Sequence, residues 1–223
     1  MTASVIKRPF HNPPPPRTGM ARPRIHAEDE IIAAATAHFW ECGYEVSTIS
    51  SLEKASGVTR STIYNNWGDK RGLFIAALNA YLANGTEMFS ARFNSNGLDE
   101  VIDFMNSFNA DMPPDDLLKN GCFLVATAEE AETRNPEVRE IIISFREMQI
   151  DSFHTALKNS ESSGELKCPM ELYTAAEFIV GALWGLFITM RLHRDNGPVA
   201  PLISGLVAVL ESWKVDGKKN SNI

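Results

Sequence analysis

TISSLEKASGVTRSTIYNNWGD, residues 48–69, packs three helix caps and two chain reversals into one short stretch. Thr48 can cap a helix that carries Ile49, Leu52 and Ala55 inward, Gly57 permits the positive φ of a sharp turn, and Thr59 can cap the next helix. Val58 and Ile63 are the apolar residues placed to hold that second helix against its partner. Its first turn carries Arg60, Ser61 and Thr62, small or flexible side chains with donors and acceptors. Backbone N–H groups and the positive end of the helix dipole at the same place attract phosphate. Two short helices joined through a glycine, the second with an unobstructed polar start, have the geometry needed to lay a helix end into a DNA major groove.

Working outward, every strong periodicity is helical. Upstream, Ile32, Ala35 and Phe39 recur at three- and four-residue steps between Glu28 and Cys42, and Gly43 follows as a stop. Downstream, Asp69 caps a long helix through Leu73, Phe74, Ala77, Leu78, Tyr81, Leu82, Met88 and Phe89. Leu98 to Phe108 forms a further stripe ending before Pro113, and another helix is predicted over Leu117 to Ala131. Asn135 and Pro136 read as N-cap and N1 of a helix that stops near Gly164. The next is predicted from Pro169 to about Arg194, broken by Asn196-Gly197-Pro198, and the last bears Leu202, Leu206, Val209, Leu210 and Trp213. The expected fold is all-α with about nine helices. Its parts are a basic, Pro-rich arm (1–24), a helix-turn-helix domain (25–72), a ligand-binding and dimerisation domain (73–215) and a polar tail (216–223).

Composition narrows the function classes. With 223 residues, 44% hydrophobic, 12 Phe and 4 Trp, the chain can bury a substantial core, and three Cys cannot staple a disulfide scaffold. The apolar run Phe178–Met190 is shorter than the roughly 20 residues of a bilayer span, and Pro13–Pro16 stands where an export signal would carry its apolar stretch. No membrane partner is expected, and the reading is cytoplasmic, nucleoid-associated when on DNA. Met20, followed by Ala-Arg-Pro-Arg, reads as an alternative translation start.

The net charge of −7 hides an asymmetry: residues 1–72 hold nine basic and seven acidic groups (+2), leaving twelve basic and twenty-one acidic (−9) for residues 73–223. Lys7, Arg8, Arg17, Arg22 and Arg24 meet no acid before Ala27. This arm reads either as a segment that lies along a phosphate backbone or as a solvated tail.

Phe39 to Phe74, with Gly43-Tyr44, Thr48, Leu52, Gly57-Val58, Ile63-Tyr64, Trp67-Gly68-Asp69-Lys70 and Leu73-Phe74, resembles the DNA-binding domain of the TetR family of bacterial regulators. The match spans roughly Arg22 to Leu82. The segments Gly121-Cys122-Phe123-Leu124, Asn135 to Arg139 and Gly164-Glu165-Leu166 are similar, more loosely, to one broad subclass. The resemblance implies a homodimer that binds a palindromic operator, most often as a repressor, and is released by a small-molecule inducer. It implies base reading by Arg60, Ser61, Thr62 and Tyr64, and phosphate contacts from Thr48 and Lys70, which Asn65, Asn66, Arg22 and Arg24 would extend. Asn66 stands where His is frequent and Trp67 where Phe is usual; Asn66 can still donate to phosphate, and Trp67 is expected to fill the core.

A symmetric dimer is required because one recognition helix reads few base pairs. Gly181 and Gly185 would let helices approach closely, and Trp184, Leu206, Leu210 and Trp213 would supply bulk for a four-helix interface. Phe104, Met105, Phe108, Cys122, Phe145, Met148 and Phe178 form an aromatic, Met-rich set that either lines a pocket for an apolar ligand or is plain core. Cys122 reads as a sensor thiol or an apolar filler. Asp151 and His154 share a face without enough further ligands for a metal, and Glu129, Glu130, Glu132, Glu137 and Glu140 read as a solvated face. No cofactor motif is present. The rivals are a helical ligand-binding or adaptor protein with weak DNA affinity, and a hydrolase built on the Ser-x-x-Lys of Ser51 and Lys54, for which Ser107-Phe-Asn109 is a second element but no Lys-Thr-Gly follows.

Overall fold

The computed structural model describes residues 28–109, 116–193 and 199–215. The arm with Arg22 and Arg24, the breaks at Pro113 and at 196–198, and the polar tail lie outside the described residues. Among them are nine α-helices: α1 (Glu28–Cys42), α2 (Ile49–Ser56), α3 (Arg60–Trp67), α4 (Lys70–Phe93), α5 (Leu98–Asn106), α6 (Phe123–Ala128), α7 (Pro136–Ser162), α8 (Leu172–Leu192) and α9 (Val199–Glu211). The extended backbone among the described residues is a single antiparallel bridge, Leu166 to Lys214.

The caps read from the sequence are in place. Thr48 and Ser51 form a reciprocal capping box at α2, with Ser51 N donating to Thr48 Oγ1 at 3.1 Å and Thr48 N to Ser51 Oγ at 3.0 Å. Gly57 takes φ 71° and closes α2, and Asp69 Oδ1 accepts from Gly72 N at the start of α4. Asn135 Oδ1 accepts from Glu137 N at 2.9 Å, with Pro136 in the first turn of α7. Glu171 rather than Pro169 caps α8, so that helix begins later than predicted.

The continuous helix predicted over Leu117 to Ala131 does not form. A 3-10 turn (Leu117–Asn120), α6 and a second 3-10 turn (Ala131–Arg134) replace it, because Gly121 at φ 74° ends the first piece. A Cβ on Gly121 would lie 2.3 Å from the Phe187 carbonyl oxygen of α8. The chain therefore passes α8 at a distance only glycine allows, and helical periodicity through Leu117–Ala131 carries no sign of that neighbour.

α4 is the spine. It packs against α1 and α3 at its start and against α7 further on, while α7 also packs on α8 and α5 on α9. Phe39, Tyr44 and Phe74 form one aromatic cluster below the helix-turn-helix, with Phe39 and Phe74 centroids 4.9 Å apart. Phe89, Phe93, Phe104 and Phe153 form a second at the far end of α4, with centroid separations of 5.1 to 6.1 Å. α8 as a whole, at 21 residues, is long and apolar enough by composition to cross a bilayer, more so than its core run suggested. Ala175, Ala176, Ile179, Val180, Leu183, Leu186, Phe187 and Met190 instead bury one of its sides in this core.

Two glycines at similar φ give a paired test. Gly121→Ala is expected to cost about 2–3 kcal/mol in urea unfolding, from backbone strain plus the clash with Phe187. Gly164→Ala, at φ 77° with open space around it, should cost about 1 kcal/mol from strain alone.

Candidate DNA-reading surface and its coupling to the helical body

α3 is eight residues long and buries Ile63 fully, with Val58 packed beside it. Thr59 Oγ1 accepts from Thr62 N at 3.4 Å and also meets Ser61 Oγ at 2.8 Å. The first turn has no acidic residue. Glu53 of α2 reaches across the turn and accepts from Arg60 N at 2.5 Å, tying the two helices together by their polar ends. Arg60, Ser61, Tyr64, Asn65 and Asn66 are exposed and Thr62 is half-buried. The Arg60 guanidinium lies 5.3 Å above the Tyr64 ring and donates to its hydroxyl at 3.1 Å. Two of the predicted base-reading side chains thus sit together on one exposed face. Thr48 is exposed at the start of α2, and Trp67 packs half-buried against the core, as expected.

Lys70, expected to anchor phosphate, also serves the fold itself. Its Nζ donates to the carbonyls of Tyr44 and Ser47, both at 2.9 Å, and stands 4.0 Å from the Tyr44 ring centroid. Two of three ammonium protons are spent on the α1–α2 turn, so the residue acts as an internal clamp that sets α2 against α4. Sequence reasoning missed this because the turn's orphan carbonyls come close to Lys70 only once α4 has packed on α1.

The acidic face predicted at Glu129 to Glu140 is solvated only in part. Glu129, Glu137 and Glu140 are exposed, but Glu132 is buried and accepts from Arg71 Nε at 2.6 Å. Glu130 Oε2 accepts from Tyr44 N at 2.9 Å. Burial raises the Glu130 pKa, and Glu45 and Glu132 add to this, against the lowering effects of the Tyr44 N–H and Arg191. Trp40 of α1 also donates from its indole to the Gly121 carbonyl at 2.8 Å. Three polar contacts therefore bind the helix-turn-helix domain to the segment between α5 and α7.

The predicted pocket set divides. Phe104, Met105 and Phe108 are buried near the far aromatic cluster, with Phe108 5.5 Å from Phe187. Phe145 is buried against Tyr81, and Met148 is half-buried. Cys122 is buried beneath Tyr81, whose hydroxyl donates to its Sγ at 3.4 Å, and desolvation pushes the thiol pKa up to about 11. Burial of this kind favours the protonated thiol, the state of an apolar filler. Phe178 is 44% exposed, unlike the rest of the set, and lies on the outer side of α8, 6.3 Å from Trp213.

The predicted dimer set divides too. Leu206, Leu210 and Trp213 are buried within the single chain, where α9 packs on α5 and α8. Gly181 is exposed, Gly185 and Trp184 are half-buried, and Phe178, Leu202 and Val209 are exposed beside them. Helical periodicity showed an apolar α9 but could not tell which of its sides the chain's own core would take.

Ser51 belongs to the capping box at the start of α2. Its Oγ serves the capping box and the Thr48 carbonyl, and lies 2.9 Å from His38 Nε2. Among the described residues no group of three or more His, Cys, Asp or Glu is arranged to hold a metal.

Two results follow from the clamps. Lys70→Met should lower the unfolding free energy by about 1–2 kcal/mol with little change in the salt slope of DNA binding; a slope reduced by about one at unchanged stability would restore the phosphate contact. Because the Glu130 pKa is raised in the fold, its protonated form favours folding below about 4.5 and that contribution is lost as pH rises through the folded value. Urea midpoints of wild type relative to Glu130→Gln should accordingly decline between pH 4 and pH 7 (roughly the carboxylate range).

Comparison with known proteins agrees with this architecture. Residues 31–77 match the family described as bacterial regulatory proteins, tetR family, and residues 97–206 match the tetracyclin repressor-like C-terminal domain. The HTH-type transcriptional repressor ComR of Escherichia coli is 24% identical over 177 residues, 76% of this chain and 82% of that protein. The HTH-type transcriptional repressor AcnR of Corynebacterium glutamicum is 38% identical over 77 residues, 34% of this chain and 39% of its own. A TetR family regulator from Cytophaga hutchinsonii superposes with a TM-score of 0.74 at 17% identity, covering 85% of this chain and 95% of that one. The regulator CifR, a cysteine mutant in complex with 26 bp operator DNA, does so at 0.68 and 21% identity, covering 86% and 100%. The chain belongs to the TetR family of DNA-binding transcriptional regulators, which are not enzymes.

Proposed function

We propose that the protein is a repressor that binds a palindromic operator as a homodimer and is released by a small-molecule inducer, working in the cytoplasm on nucleoid DNA. The observation that carries this reading is the exposed face of α3, where Arg60, Ser61 and Tyr64 stand clear of the fold with Thr62 beside them while Ile63 anchors the helix from behind. Arg60 is the residue able to make a bidentate contact with guanine, and Tyr64 offers a ring and hydroxyl to a thymine methyl or a phosphate. Thr48, Asn65 and Asn66 flank that face as phosphate donors; Arg22 and Arg24 would add to them from the arm. The repressor names of ComR and AcnR support the sign of regulation.

Dimerisation is assigned to the outer side of α8 and α9, through Phe178, Gly181, Gly185, Leu202 and Val209, with Trp184 at its margin. These positions recur at helical spacing on the side turned away from the core, and exposed apolar area of this kind favours a self-complementary contact. Leu206, Leu210 and Trp213 support that surface from beneath. An inducer would act by a different affinity for two arrangements of the paired DNA domains, carried along α4 and through the Glu130, Glu132 and Trp40 contacts.

Selection from randomised duplex DNA at stated moderate salt, followed by footprinting, should enrich a palindromic motif. Arg60→Ala should lose about 1–3 kcal/mol of discrimination at one symmetric pair of positions while keeping nonspecific affinity. Equal weakening on cognate and scrambled DNA would refute base reading by Arg60.

A further inference from the structure

We propose that Gln149 is the donor that holds an uncharged, carbonyl-bearing ring ligand in the helical body, an assignment that rests on the inducer reading above and gives the ligand its chemical class. Gln149 lies in the middle of α7 and is fully buried. Its Oε1 accepts from Trp184 Nε1 of α8 at 2.8 Å. An indole N–H only donates, so the amide cannot be turned over without setting two donors against each other. Its Nε2 therefore points away from Trp184 with both N–H groups, and it is the one buried side-chain nitrogen or oxygen without a hydrogen-bond partner among the described residues. A stranded donor in a protein interior opposes folding, and a Leu or Met here would avoid that cost.

The surroundings state what acceptor fits. Phe145 and Phe153, one helical turn to either side of Gln149 on α7, are fully buried. Met148 beside it is half-buried and adaptable. Tyr81, whose ring lies 6.2 Å from Phe145, commits its hydroxyl to Cys122. Arg146, the basic group one turn-segment before Gln149, is bound to Glu177 of α8. A carboxylate or phosphate would enter this setting without a partner cation, and a neutral amide cannot offset the desolvation of a full charge. A ketone, quinone or lactone oxygen on a flat apolar body needs one neutral donor and apolar neighbours, which is the set Gln149, Phe145 and Trp184 supply. Occupation of Nε2 also polarises the amide and strengthens its bond to Trp184, at the margin of the proposed dimer face.

The test uses the full chain with two size-matched probe pairs, 1-tetralone against tetralin and 2-acetylnaphthalene against 2-ethylnaphthalene. Calorimetric affinities are measured for wild type, for Gln149→Met, and for Gln149→Met with Trp184→Phe, the last leaving no indole N–H stranded. At least one ketone is expected to bind wild type roughly three- to tenfold more tightly than its hydrocarbon, and that ratio should fall to about one in both variants while the hydrocarbon affinity holds. The Gln149 side-chain amide resonance, identified by its loss in Gln149→Met, should move downfield with the ketone and not with the hydrocarbon. Equal affinity of ketone and hydrocarbon for wild type, or a ketone preference that survives both substitutions, overturns the assignment and leaves a ligand pocket standing. Amide protons that exchange magnetisation with an internal water unaltered by the ketone overturn it in favour of a structural water. Failure of all four probes to bind protein that still binds its selected operator removes a ligand site at Gln149 and leaves the operator reading untouched.

Discussion

The corner between α1 and α2 bears the rest of the structure. Within it the Tyr44 ring packs on Phe74 of α4 at 4.7 Å, its backbone N–H is held by Glu130, and its carbonyl, with that of Ser47, receives Lys70. A turn this tight leaves backbone donors and acceptors with no helical partner, and burial makes each of them costly until something meets it. Here the partners come from two different parts of the chain, one from the start of α4 and one from the segment between α6 and α7. The orientation of α3, which rests on α2 and α4, is thereby set by groups outside the helix-turn-helix itself.

That arrangement explains how a DNA-reading domain of three short helices belongs to a body several times its size. α4 connects them covalently, but a single helix could bend or rotate at its first turn. Trp40 to the Gly121 carbonyl, Glu130 to Tyr44 and Arg71 to Glu132 form a second connection beside the first. Gly121 in turn passes so close to Phe187 of α8 that a shift of α8 has to be felt by the strand of chain that holds Trp40. A path of direct contacts thus runs from the helix proposed for dimerisation, past a buried thiol and tyrosine, to the helix that supports the DNA reader.

The two aromatic clusters differ in what they do. Phe89, Phe93, Phe104 and Phe153 interlock edge to face, an arrangement that fills space and leaves α4, α5 and α7 fixed to each other. The region of Tyr81, Phe145, Gln149 and Trp184 mixes rings with hydrogen-bonding groups, and one of those groups has a donor to spare. Polar atoms at such depth specify geometry, whereas the apolar cluster supplies stability without choosing among ligands.

Much of this was legible in the chain itself. Helix starts at Thr48, Thr59, Asp69 and Asn135 could be read because capping is local: an oxygen two or three residues away meets the free N–H groups whatever the rest of the fold does. The exposed start of α3 was legible for the same reason, since Ile63 and Val58 fix which side turns inward. Lys70, Glu130, Glu132, Phe178 and Trp213 were not, and each depends on a neighbour distant in sequence. A lysine can face phosphate or a stranded carbonyl, a glutamate can face water or a buried amide, and an apolar residue on an all-apolar helix can face its own core or another chain. Local pattern is degenerate between these outcomes, and only the packing of α4, α7, α8 and α9 chose one, because burial and hydrogen bonding are decided by which groups arrive at the same place.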